Sequence, residues 1–266
     1  MATTETTDVG EPVLVLRQGP VLTVTLNRPR HKNAMDQDAW SRLQNELRHA
    51  SVDEDIRVVV LTGAGGDFCA GADLSGADPK RHPLNRMRGI GDIALALHDM
   101  PKPVIAKVEG VAVGAGWNLA LGCDLVVAST TARFSQIFAR RGLSLDFGGS
   151  WLLPRIVGLQ QAKRLALLAE FVDAEEALRL GLVTWVKGPE EIDAFVDDLA
   201  ARLAAGPPMA LAQSKVMLNE AAGRSMREAL ESESRAQVVN FATDAPAAKR
   251  AFLDKTEPNF AGKWLL

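Results

Sequence analysis

Cysteine is nearly absent: Cys69 and Cys123 are the only two in 266 residues, both in apolar, glycine-rich context. So low a count in a chain of this length signals a reducing compartment rather than a disulfide framework. Histidine is scarce too, and His31, His49, His82 and His98 form no ligand cluster. Neither cysteine has metal-ligand spacing, so no metal site is expected. There is no excess of positive charge, since 30 Lys and Arg stand against 33 Asp and Glu for a net charge of −3. That balance excludes nucleic acid and an anionic membrane as expected partners. No uncharged apolar run approaches the ~18 residues that a membrane-spanning helix needs. The opening Met1–Asp8 has neither a basic n-region nor an apolar h-region, so it does not read as a secretory signal. Together these absences point to a cytoplasmic protein.

What is present is an ordinary globular composition, 47% hydrophobic and 24% charged. One large domain, or one domain with a small appendage, is expected at this length. Residues 1–12 read as a flexible N-terminal tail. Val13–Leu16 and Val21–Leu26 read as strands joined across Gly19-Pro20. Asp36 can cap a helix whose apolar face is Ala39, Leu43, Leu47 and Ala50. Ile56–Leu61, Val104–Val108 and Asp124–Ala128 are further strand candidates, and a helix is expected over Leu84–Leu97. Strands alternating with helices place the chain in the α/β class. From about Glu190 onward only helical segments follow: Glu190–Ala205, Pro207–Ala222, Ser225–Phe241 and Ala245–Lys255. This last third can pack on its own core or embrace a neighbouring subunit.

Two glycine-rich turns carry the first chemical signal, Phe68-Cys69-Ala70-Gly71-Ala72-Asp73 and Gly110-Val111-Ala112-Val113-Gly114-Ala115-Gly116. Each follows an expected strand, and the second opens a helix over Gly116–Gly122, whose amide end carries partial positive charge. One N–H from each turn, converging, would make an oxyanion hole. Read without that role, the same glycines permit tight turns and close helix packing. They are no dinucleotide fingerprint, because the full spacing and a following acidic residue are missing.

Taken together, the two turns with Pro103-Val104-Ile105-Ala106, Asn27-Arg28-Pro29, Asn33-Ala34 and Ala251-Phe252-Leu253-Asp254-Lys255 resemble the crotonase (enoyl-CoA hydratase/isomerase) superfamily. The resemblance is collinear from about Val13 to Phe260. It implies a crotonase-like spiral of ββα turns, with an acyl-CoA-binding core over 13–200 and a helical trimerisation region over 201–266. It implies an acyl-CoA substrate and a homotrimer or dimer of trimers. Coenzyme A enters as the carrier part of the substrate, and no cofactor is bound permanently. The resemblance assigns the thioester oxygen to the amides of Ala72 and Ala115. It sets the adenine end near Ala70, Ala72, Asp73 and Leu74 and the Arg28–Ala34 loop, with Lys32, and gives Lys255 the ribose phosphate. Read singly, Arg28, Lys32 and Lys255 are also ordinary solvated charges.

The departure from the family's pattern is as informative. A hydratase of the family carries two glutamates; the matching positions here hold Asn118 and Phe138, 20 residues apart as in the family. Neither can carry a proton, although Asn118 could make a polar contact with water or substrate. Trp117 and Phe138 are expected to shape the acyl pocket or to pack in the core. Asp146, eight residues beyond Phe138, occupies a position that is acidic in several family isomerases. Gly142 through Arg155 looks especially like the ring-epoxide phenylacetyl-CoA isomerase branch, except that Ser144-Leu145 stands where that branch usually has a proline before the aspartate. The alternative for Asp146 is the N-cap of a helix opening near Phe147-Gly148. The favoured expectation is an isomerase in which Asp146 shifts a proton or double bond. A specialised or slow hydratase and a non-catalytic acyl-CoA binder are the alternatives.

Overall fold

The computed structural model describes residues 10–75 and 82–264. Two β-sheets and a set of helices make up the chain. The larger sheet has six strands in the order β1 (Val13–Gln18), β2 (Val21–Leu26), β3 (Val58–Gly63), β4 (Val104–Val108), β6 (Leu125–Ser129) and β9 (Trp185–Lys187). β1 and β2 form an antiparallel hairpin, and every later neighbour in this sheet is parallel. The smaller sheet joins β5 (Val111–Val113), β7 (Arg133–Ser135) and β8 (Val172–Asp173). β4 runs straight into β5 and β6 into β7, so these two turns of the chain each lay one strand in each sheet. This stepping is the spiral of ββα turns.

The large sheet is buried on both faces, which explains its unbroken apolar runs. Side chains alternate along a strand. Val59 and Leu61 of β3, with Val104 and Ala106 of β4, enter the main core. Val58, Val60 and Ile105 point the other way, onto Ile192, Val196, Leu199 and Ala200 of α6 (Ile192–Ala204). The expected boundary at 200/201 therefore falls inside a continuous helix that belongs to the sheet. α1 (Gln37–Val52) begins where Asp36 accepts a hydrogen bond from the Ala39 amide at 2.9 Å, as its sequence indicates. α2 (Pro83–His98) packs beside it, and α3 (Ala115–Leu121) follows the second glycine-rich turn. α4 (Gly149–Leu168) and α5 (Ala174–Arg179) complete the core.

The C-terminal helices are α7 (Pro208–Ala221), α8 (Met226–Phe241) and α9 (Ala245–Asp254). α7 docks on its own chain. Lys215 pairs with Asp124 at 2.8 Å, and the Asn219 side chain donates to the carbonyl of His98 at 3.2 Å. Asp124 in turn accepts from the Val104 amide at 2.7 Å, tying α7 to the root of β4. Leu218, Leu230, Val238 and Phe252 remain exposed on this region. Much of the tail, and Pro79–Arg81 before α2, lie outside the described residues. Glu11 and Pro12, placed in the tail by sequence, are held instead by Asn27 through bonds of 2.9 and 2.8 Å to their carbonyls. Among the described residues, no helix is long and apolar enough to cross a membrane, and no group of His, Cys, Asp and Glu could hold a metal ion.

Replacing Lys215 by Ala leaves the Asp124 side chain with only a backbone donor, the Val104 amide. A charge-assisted bond of this kind contributes about 1.5–3 kcal/mol. Urea denaturation of Lys215→Ala should show a loss near the lower end of that range, with earlier proteolytic cleavage in α7. An unchanged midpoint would mean that α7 docks without this pair.

Candidate active site

The site is built where three segments meet. Cys69 bridges Ala112 in parallel, its N–H donating to Val111 O at 2.9 Å and its carbonyl accepting from Val113 N–H at 3.0 Å. On the opposite side, Met35 N–H donates to Gly71 O at 2.8 Å and Asp73 N–H to Met35 O at 2.9 Å. Residues 69–73 are thus held between two neighbours by one isolated parallel bridge on each side. The parallel bridge of Met35 and Ala72 uses the amides of Met35 and Asp73, so Ala72's own N–H is left out of that pairing. Ala115 is the first residue of α3, where an amide has no acceptor within the helix.

Gly71 sets how closely these two turns approach. Its φ is +87°, and a Cβ there would lie 2.9 Å from Val113 O and 3.5 Å from Ala115 N. Gly116 is equally constrained, because a Cβ would come within 2.3 Å of Cys69 O. Only glycine lets both turns fit. Ala72 and Ala115 both border one cavity of about 390 Å³, together with Trp40, Met87, Ile90 and Asp146.

Among the described residues three carboxylates line this cavity, in two electrostatic situations. Arg28 pairs with Asp36 at 3.0 Å and with Asp73 at 2.9 Å, and also donates to Ala34 O. Hydrogen bonds from Ser75, then from Arg28, hold the Asp73 carboxyl down at about 2. Asp146 has no such partner. Its Oδ1 is buried with no hydrogen bond among the described residues, and burial pushes its pKa up to about 6.

The local chain fixes that carboxylate. α4 starts at Gly149 with Gly148 as N-cap, and no side chain bonds the cap. Asp146 therefore does not serve as the helix cap its residue type would permit. Its carbonyl accepts from Gly149 N–H and from Asn118 Nδ2, both at 2.9 Å. Phe147 takes a left-handed φ of +47°, and its ring stacks on Trp40 at 5.4 Å.

The other expected residues divide. Lys32 and Ala34 lie on the loop before Met35, which docks on the 69–73 segment where Ala70 N–H donates to Lys32 O at 2.9 Å. Leu74 is exposed at the cavity edge and Lys32 pairs with Asp67 at 3.4 Å. Arg28 is spent on two internal carboxylates. Lys255 ends α9 and does not border the cavity. Nor do Asn118, Trp117 and Phe138, contrary to the expected pocket positions: Asn118 and Trp117 are fully buried, and Trp117 packs on Phe134 at 5.3 Å. Cys69 is inert, its thiol pushed up to about 12 by burial. Sequence reasoning missed Trp40, Arg86, Met87 and Leu143 as cavity walls. Trp40 stood next to Ala39 on the apolar side of an amphipathic helix, a pattern that signals core rather than cavity.

Residues 17–263 match the family model described as enoyl-CoA hydratase/isomerase. The 1,2-epoxyphenylacetyl-CoA isomerase of Escherichia coli is 37% identical over 250 residues, covering 91% of this chain and 95% of that protein. The short-chain-enoyl-CoA hydratase of Clostridium acetobutylicum is 36% identical over 247 residues, covering 91% and 95%. Among solved structures, an enoyl-CoA hydratase from Bacillus anthracis superposes with a TM-score of 0.90 at 29% identity, covering 95% of this chain and 100% of that one. One from Polaromonas superposes at 0.88 with 34% identity, covering 93% and 98%.

The unpartnered carboxylate has a consequence for stability. An aspartate whose pKa rises on folding from 3.8 to about 6 contributes stability below 3.8 that is lost as pH climbs through 6. Asp146→Asn removes that loss. Thermal melts should find the variant more stable than the parent above pH 6, on the order of 1–3 kcal/mol, with the gap closing towards pH 4. A gap independent of pH would show that the carboxylate is not the buried charge described.

Proposed function

This chain belongs to the enoyl-CoA hydratase/isomerase family, and on that footing we propose that it is an acyl-CoA isomerase with Asp146 as its single proton carrier. The observation that carries this reading is that Asp146 alone, of the cavity carboxylates among the described residues, lacks a partner, and burial pushes its pKa up to about 6. In this reading the amides of Ala72 and Ala115 donate to the thioester oxygen. Each such donor contributes about 3–4 kcal/mol to a transition state in which charge develops on oxygen. The Asp146 carboxylate takes the proton from the α-carbon of a 3-enoyl thioester. The C–H electron pair moves into conjugation, and the thioester oxygen carries the negative charge of the dienolate. The protonated Asp146 returns the proton at the γ-carbon, the double bond shifts by one position, and the carboxylate is regenerated. No water is consumed and no redox partner is needed.

Hydration asks for more than this site offers. Delivering water across a double bond uses a pair of proton carriers, and each contributes about 10²–10⁴-fold. Asn118 is fully buried with both ends of its amide engaged, and Phe138 is apolar. Asp36 and Asp73 are both held by Arg28. In the same reading the coenzyme A end lies along the loop from Arg28 to Ala34 and residues Ala70 to Leu74. Lys32 and Lys255 are its cationic contacts; Arg28 is held by two carboxylates, whereas Lys32 has one partner, Asp67, and stays exposed. Assembly into a trimer or paired trimers is supported by the apolar side chains left exposed on α7 to α9, Leu218 and Phe252 foremost. Two unpaired cysteines, both buried, support operation in the cytoplasm.

Isomerisation of a 3-enoyl-CoA should rise with pH to a plateau, with its midpoint at about 6, as Asp146 ionises. Asp146→Asn should lose at least ~100-fold in kcat with unchanged affinity for coenzyme A. Crotonyl-CoA hydration should be slow in both proteins. Fast hydration by the parent would favour the hydratase, and absence of turnover on 3-enoyl and ring-epoxide thioesters alike would favour a silent binder.

A further inference from the structure

Asn118 and Gln136 are fully buried polar side chains with no place in the proton transfer itself. Asn118 Nδ2 donates to the Asp146 carbonyl at 2.9 Å, and Gln136 Nε2 donates to Asn118 Oδ1 at 2.9 Å. The direction of this chain follows from chemistry. A carbonyl accepts and cannot donate, so the Asn118 amide must present its nitrogen to Asp146 and its oxygen to Gln136. Gln136 must then present its own nitrogen, and its Oε1 is left buried without a partner among the described residues. An orphaned acceptor is unfavourable in a core. Leucine at both positions would fill the space without it.

The structure is shaped to keep this contact. A Cβ on Gly149 would lie 2.4 Å from Asn118 Nδ2, so only glycine at the start of α4 lets Asn118 reach the carbonyl. The peptide it holds precedes two consecutive left-handed residues, Phe147 at φ +47° and Gly148 at φ +79°. The Asn118 bond to the Asp146 carbonyl fixes ψ of Asp146 just before this left-handed pair.

We infer that Asn118, set by Gln136, is a positioning residue that locks the Asp146 peptide and so holds the carboxylate in its desolvated orientation. This rests on Asp146 being the proton carrier. It also gives Asn118 a reason to be neutral. A carboxylate at this position, the residue type of a hydratase, cannot donate to the carbonyl and would release Asp146.

The test is Asn118→Leu beside Asp146→Asn, with kcat, KM, the pH profile and thermal melting measured for each. Asn118→Leu should lower kcat by about tenfold or more, since a misplacement of about 1 Å can cost 10²-fold. KM should hold, and the pH midpoint should fall below 6 as the freed carboxylate meets water. Gln136→Leu, which frees the Asn118 amide to rotate, should shift the same quantities less. Should Asn118→Leu not fold, Gln136→Leu is judged by the same readouts. A folded variant with the parent's kcat and pH midpoint, while Asp146→Asn is inactive, overturns the relay and leaves the isomerase reading standing. Full activity in Asp146→Asn overturns both.

Discussion

Everything at this site depends on the main-chain pairing of residues 69–73 with two neighbours at once. Through Met35 it pulls the first loop onto the core, and through Val111 and Val113 it brings the start of α3 alongside Gly71. The bonds involved are ordinary main-chain bonds of 2.8–3.0 Å. What makes the arrangement particular is the absence of side chains at Gly71 and Gly116, where a Cβ would meet backbone oxygen at 2.9 and 2.3 Å. Loosening either contact would separate Ala72 from Ala115 before touching any residue with chemistry of its own. The loop from Arg28 to Met35 is fixed by the same logic: buried Asn33 bonds the carbonyls of Ala64 and Asp67 and accepts from the Arg28 amide.

The cavity wall then sorts its carboxylates by partner rather than by depth. Asp73 keeps its charge because Ser75 and Arg28 solvate it. Asp146 lacks any such donor and carries the penalty of burial. Proteins retain such unfavourable groups where they serve a purpose, because marginal stability makes an uncompensated charge expensive. Arg28 matters here for what it withholds. By engaging Asp36 and Asp73 it leaves Asp146 as the one unpaired carboxylate of the cavity among the described residues.

Much of the fold was legible because the signals were local. Val21–Leu26 is a strand with the bounds its alternation indicates, and Ser225 opens α8 with a capping box closed by Glu228. β5, β7, β8 and β9 are only two or three residues long and owe their existence to neighbours from distant sequence, so periodicity had nothing to register. The same holds within the site. Gly71 and Gly116 announced close approach, and Asp146 was found by its spacing from Phe138. Gln136 was invisible, since a glutamine before Ile137 carries no pattern and its role exists only once β7 meets α3. Asn118 was placed at the cavity by the hydratase comparison. It lies behind the wall because α4 begins with a glycine that admits its side chain towards the Asp146 carbonyl.

That displacement bears on how one fold supports different reactions, a choice made by side chains and not by architecture. At position 118 a carboxylate would bring a charge, and a charge in this fully enclosed spot would need either solvent or a cation. The described surroundings offer it a carbonyl and one amide nitrogen. Asparagine satisfies both with one donor and one acceptor. Phe138 extends the same tendency, filling its place with an apolar ring that stays inside the protein. The two positions have been withdrawn from solvent together, and the free carboxylate now stands on the segment they support. In the proposed reading, a proton carrier on the loop before α4 instead of on the helix leaves the amides of Ala72 and Ala115 untouched. Under that proposal the electrophilic half of the site stays with the backbone while the acid–base half is free to change.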